Sequence, residues 1–148
     1  MTDVAFHFNV SQPLAYACRL LRKAYGAGAQ VTVVGPQEVL AQLDQELWTF
    51  SALDFVPHCQ ASAPAQVRAR TPILLTSDTQ AAPERAPEVL LNLGAQAPAG
   101  FERFARLIEL VGAAEAERQH ARARWRHYAA HGHPITRHDI MARPAHTG

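Results

Sequence analysis

At 148 residues the chain has the length of one domain, and enough of it to bury a real core. A formal net charge of +1 provides no global field toward nucleic acid, so any anion binding has to come from a local patch. Two cysteines far apart, Cys18 and Cys59, suit reduced thiols rather than a disulfide framework.

Val4, Phe6 and Phe8 alternate with small or polar residues and predict a first strand ending near Val10. Ser11 is a suitable N-cap and Pro13 suits a first helical turn. Leu14, Cys18, Leu21 and Tyr25 then recur at helical spacing, and Gly26 and Gly28 stop that helix. Val31 to Gly35 is a β-branched run that predicts a buried second strand. Pro36 opens a second helix carrying Val39, Leu40, Leu43 and Leu47. Strand, helix, strand, helix with short links and near-continuous apolar strands predicts an α/β fold with a mostly parallel sheet.

Trp48, Phe50 and Phe55 follow within eight positions, and Pro57 biases Val56 toward extended geometry. Such a cluster either covers the end of the sheet or forms an exposed apolar patch of the kind partners use. Residues 60–70 read as an irregular loop, 71–76 as a strand, 77–87 as a polar link and 88–93 as another strand. A short helix is expected over 101–106. Residues 107–111 have the apolar density of a strand, although their period also admits a helix.

Residues 113–131 favour a helix throughout, with Glu115 and Glu117 early and Arg118, Arg122, Arg124 and Arg126 later, an order that complements the helix dipole. Ala121, Trp125 and Tyr128 form a narrow apolar stripe, and Arg118, Arg122 and Arg126 run beside it. Gly132 and Pro134 end the helix. This pattern fits a helix packed on the core with a solvated basic face. The other reading is a docking edge for an acidic ligand with an aromatic or carboxylate end, and periodicity alone does not choose between them. One α/β domain over 1–133, with a polar tail over 134–148, completes the expected organisation.

Several chemistries lack their residues. Neither the Gly-x-x-x-x-Gly-Lys-Ser/Thr nor the Gly-x-Gly-x-x-Gly phosphate cradle occurs, nor the Gly-x-Ser-x-Gly nucleophile elbow. His127, His131, His133 and His138 crowd one region, but no His-Glu-x-x-His or cysteine pair accompanies them, so no metal is expected. His58 and Cys59 are neighbours on an extended chain and point apart, which disfavours a nucleophile and its base. No stretch approaches the apolar length of a bilayer span, and the N-terminal residues lack signal-peptide character, so a cytoplasmic protein is expected.

Four segments together resemble the chi subunit family of the bacterial DNA polymerase III holoenzyme. They are Val4-Ala-Phe-His-Phe8, Leu43-Asp-Gln-Glu-Leu-Trp48, Asp54-Phe-Val-Pro-His58 and Arg122-Ala-Arg-Trp-Arg-His-Tyr128. The pairing of Leu-Trp with Phe-Val-Pro-His is the most specific element, since neither packing nor turn chemistry demands that string. The resemblance implies a Rossmann-like α/β domain, with the central sheet flanked by helices and no phosphate-binding loop. It also implies a non-catalytic, clamp-loader-associated subunit without cofactors, reaching DNA only indirectly. Such a subunit holds the acidic C-terminal tail of single-stranded DNA-binding protein and pairs with the psi subunit or another clamp-loader subunit. The tail-binding residues would be Arg122, Trp125, Arg126 and Tyr128, and the psi-facing surface would include Trp48 and Phe55. Nothing transfers beyond Pro134, where the sequence departs from the family. Two competing readings are a small α/β nucleotide- or metal-binding enzyme using the C-terminal His/Arg cluster, and direct single-stranded DNA binding by the Arg/Trp helix.

Overall fold

The computed structural model describes residues 2–49, 56–83 and 85–141. In chain order the elements are β1 (Asp3–Val10), α1 (Pro13–Gly26), β2 (Val31–Val34), α2 (Gln37–Thr49), β3 (His58–Gln60) and α3 (Ala65–Arg70). There follow β4 (Ile73–Thr76), β5 (Val89–Asn92), a 3-10 turn (Phe101–Arg103), β6 (Arg106–Gly112), α4 (Glu115–Ala130) and β7 (Ile135–Asp139). The described strands form one sheet in the order β3-β4-β2-β5-β6-β1-β7. Every pairing in it is parallel. This is the expected α/β architecture, and β2, β4 and β5 are buried along their whole length, as a sheet covered on both faces requires.

Alternation along the strands divides the interior into two cores. Val89, Leu91, Ile108 and Leu110 join Ala17, Cys18 and Leu21 of α1 and Leu40, Leu43 and Leu47 of α2 on one face. Leu90, Leu107 and Val111 join Val4, Phe6, Phe101, Phe104, Ala121 and Tyr128 on the other, beneath α4. The glycine stops operate as their positions suggest. Gly28 (φ 80°) and Gly132 (φ 77°) adopt the left-handed conformation just after α1 and α4. At α4, Gly132 N–H donates to the Ala129 carbonyl at 3.0 Å and His133 N–H to the Tyr128 carbonyl at 3.2 Å, closing the last turn.

Several local expectations differ from the structure. Gln12, not Ser11, occupies the N-cap of α1, and no side chain caps it; Pro13 at the first helical position removes one of the donors a cap would satisfy. The loop expected over 60–70 contains α3, and the helix expected over 101–106 is a single 3-10 turn before β6. The polar link over 77–87 is held by Arg85, which is buried and donates to the carbonyls of Arg68, Thr71, Pro72 and Val31. Beyond Gly132, where a tail was expected, β7 pairs with β1 from Val4↔Ile135 to Phe8↔Asp139 and forms an edge of the sheet. A five-residue strand with three exposed positions carries too little apolar signal to stand out in the sequence.

Candidate functional site: a cationic recess beside the last helix

The orientation of α4 is set by a buried polar cluster. Glu109, in the middle of β6, points toward α4 and is fully buried. Its carboxylate accepts from Arg124 Nε at 2.9 Å, from the Tyr128 hydroxyl, and from Asn92 Nδ2 at 3.2 and 3.0 Å. Arg124 Nη1 also donates to the Ala95 carbonyl at 2.8 Å. Burial pushes the Glu109 carboxyl above the usual glutamate range, and the guanidinium and the hydrogen bonds pull it back. The Tyr128 hydroxyl is held protonated, first by burial and then by the adjacent carboxylate. At the other end, Glu117 accepts from the Gly112 N–H at 3.1 Å, joining the first turn of α4 to the end of β6.

Held this way, α4 lies over the sheet with one edge open toward β1 and β7, and a recess of about 570 Å³ runs along that edge. Its apolar lining is Phe6, Phe8, Val111, Ala121 and Trp125. Ala121 leaves room where a larger side chain would fill the space, and the Trp125 ring leans on Phe6 with centroids 5.0 Å apart. Its cationic lining is Arg118, Arg122 and Arg126 from α4 and Arg137 from β7. Asn9, with φ 61°, accepts from Arg118 Nη2 at 3.2 Å and donates to Asp139 Oδ1 at 2.9 Å, so it links the helix to the edge strand. Arg122 lies 3.1 Å from Glu115, with both side chains more than half exposed, a pair that contributes little and can be exchanged for another carboxylate.

The structure therefore brings Arg122, Trp125 and Arg126 together on one recess. Tyr128, expected beside Trp125 as a wall, is instead wholly buried at 0 % exposure, because its hydroxyl is drawn inward to Glu109. Arg124, named in the sequence only as part of the charge gradient, is buried as well. Sequence reasoning missed Arg137 because β7 was not foreseen, and Phe8 and Asn9 because nothing in the sequence placed the predicted first strand beside α4. It missed Glu109 because an acid within an apolar strand was read only for its neighbours.

Of the expected partner surface, Trp48 closes α2 with 59 % of its surface exposed. Its ring packs against His58, centroids 5.1 Å apart, and His58 Nε2 lies 3.0 Å from Asp44 Oδ1. Phe50 and Phe55 fall outside the described residues. His127 and His131 lie with ring centroids 4.5 Å apart and their planes tilted by 44°, yet among the described residues no group of three or more His, Cys, Asp or Glu is placed to hold a metal ion. Among those residues, too, no helix is long and apolar enough to cross a membrane.

Comparison with known proteins supplies the context for this geometry. Similar solved structures include a Saccharomyces cerevisiae Dbp5 variant bound to Nup159, a Gle1 variant, IP6 and ADP. Its TM-score is 0.61 at 13 % identity, with 95 % of this chain and 42 % of that one covered. The Dbp5 C-terminal domain bound to a Gle1 variant and IP6 gives 0.58 at 14 % identity, covering 93 % and 89 %. At such identities the likeness is one of fold alone. The DNA polymerase III subunit chi of Pseudomonas aeruginosa is 34 % identical over 145 residues, which are 95 % of this chain and 98 % of that one. Residues 1–136 match the family model described as DNA polymerase III chi subunit, HolC. The chain thus belongs to the chi subunit family and is an accessory subunit of DNA polymerase III.

Proposed function

We propose that the recess beside α4 holds the acidic C-terminal tail of single-stranded DNA-binding protein, and so links that protein to the polymerase. The observation that carries this reading is the placement of Arg122, Arg126 and Trp125 on one open recess with an apolar lining. A chain end with acidic side chains, an aromatic ring and a free carboxylate needs a cationic edge, an apolar slot and a forked donor. Arginine supplies the fork, which lysine does not. Tyr128 contributes from behind, fixing α4 through Glu109 rather than touching the ligand. The subunit has no active site of its own in this reading, and the absence of both phosphate-cradle patterns from the sequence supports a Rossmann-like domain without a phosphate loop. It acts in the cytoplasm, where the replicative polymerase works.

Arg126→Glu is expected to lower affinity for a fluorescent tail peptide about tenfold or more, with an unchanged circular dichroism spectrum. Wild-type binding should weaken as salt rises, since exposed charges are screened over about 8–10 Å near physiological ionic strength. Equal anisotropy titrations for the two proteins, at both low and high salt, reject the site.

The exposed Trp48, with Phe55 nearby in sequence, is proposed as the centre of the surface that meets psi or another clamp-loader subunit. Buried aromatic anchors typically dominate such interfaces. Trp48→Ala should fail to co-purify the partner while retaining the tail peptide; full retention of the partner removes this assignment.

A further inference from the structure

The α4 side of the recess accounts for three of its four arginines. The fourth, Arg137, comes from β7, beyond β1 at the sheet edge, where it is in register with Phe6. Its guanidinium lies over the Phe8 ring, 5.2 Å from the centroid, and Phe8 itself lines the recess. Such stacking holds a cation at the margin of an apolar surface without neutralising it. Among the described residues Arg137 has no carboxylate partner. The nearby acid Asp139 is engaged by the Asn9 amide and by the Met141 N–H. The recess is therefore cationic from two sides, one a helix and the other a strand, with rings between them.

We propose that Arg137 is a specificity residue for the acidic peptide, taking a side-chain carboxylate upstream of the terminus while the α4 arginines hold the terminal carboxylate. This inference rests on the reading of the recess as a tail site and divides its labour. A terminal carboxylate needs one fork; a run of acidic side chains needs a second cation displaced from the first, and the edge strand supplies it. A peptide satisfies both walls and the rings at once, whereas a ligand with one carboxylate satisfies a single wall.

Three peptides separate the contributions: an acidic tail peptide with a free carboxylate, the same peptide amidated at its end, and the same peptide with its acidic side chains changed to amides. Arg137→Ala should lower affinity for the first and second peptides about fivefold and leave the third unchanged. Arg137→Lys should keep most of the binding, since an exposed point charge still attracts a carboxylate. Arg126→Ala should instead lose its effect when the terminus is amidated.

Wild-type affinity in Arg137→Ala for the acidic peptide overturns the inference, as does an equal loss on all three peptides, which would mark a structural effect. Displacement of the bound peptide by a single-stranded oligonucleotide of equal charge also overturns it. If the wild-type protein binds none of the peptides, the tail site falls together with the division of labour. If it binds and only Arg137→Ala is silent, the tail site stands and Arg137 has no part in it.

Discussion

His7 sits on the face of β1 turned away from α4. Its Nδ1 lies 2.5 Å from the Tyr16 hydroxyl of α1, and its ring lies 4.8 Å from that of His138 on β7. Burial, then His138 and then Arg106 of β6 push its pKa down to about 4, from an ordinary value of 6.5. The ring is therefore neutral in the folded protein and takes up a proton more readily when the chain is unfolded. The unfolded state binds more protons between these two values. The stability His7 contributes is thus complete above about pH 6.5 and is lost as pH falls toward 4. Because the ring is only partly buried, solvent offsets some of the penalty. Lowering the pH from 7 to 5 should drop Tm by about 2–4 °C from this group. His7→Gln should flatten that decline in thermal melts followed by circular dichroism; an identical slope in the two proteins would show that another group is responsible. His138 faces the same ring, so His138→Gln should soften the dependence in the same direction.

At the scale of the element, α4 departs from a simple amphipathic helix because its inward stripe contains an arginine. Ala121, Arg124 and Tyr128 are its buried positions, with Trp125 half-buried beside them. Removing one member of a buried pair strands the other. Glu109→Leu, which leaves the Arg124 guanidinium buried without its acid, should therefore cost about 3–5 kcal/mol in urea denaturation. Glu109→Leu with Arg124→Met should recover most of that loss, because a well-packed apolar pair replaces the charges. No recovery in the double variant would mean that the cluster stabilises through Tyr128 and Asn92 instead. The helix itself, its charge gradient and its Gly132 stop were legible from propensity and spacing. The inward turn of Arg124 was present only as arithmetic, three residues after Ala121 and four before Tyr128, and needed a matching acid on a neighbouring strand. Glu109 in the middle of an apolar run was that acid. A single-sequence reading has no means of pairing positions on separate elements, so it gave Arg124 no inward role and made Tyr128 a wall of the ligand pocket.

At the scale of the molecule, the order of strands and helices up to α2 was readable because Val4, Phe6 and Phe8 alternate, Val31 to Gly35 is a β-branched run closed by glycine, and both helices carry their apolar residues at helical spacing. The C-terminal edge was not, since β7 gains its place from a neighbour, β1, rather than from its own composition. The strand-borne wall of the candidate recess was hidden for that reason, since Arg137 is the lining residue that β7 contributes. The recess joins Phe6, Phe8 and Asn9 from the beginning of the chain to Val111, Trp125 and Arg137 from its far end. A ribosome making this protein therefore releases nearly the whole sequence before the two banks of the groove can face each other. The first strand must wait, or pair provisionally, until β6, α4 and β7 have emerged. If the recess takes the proposed peptide, capture requires both banks, and a nascent or prematurely ended subunit lacking β7 would not engage that ligand ahead of its completed sibling.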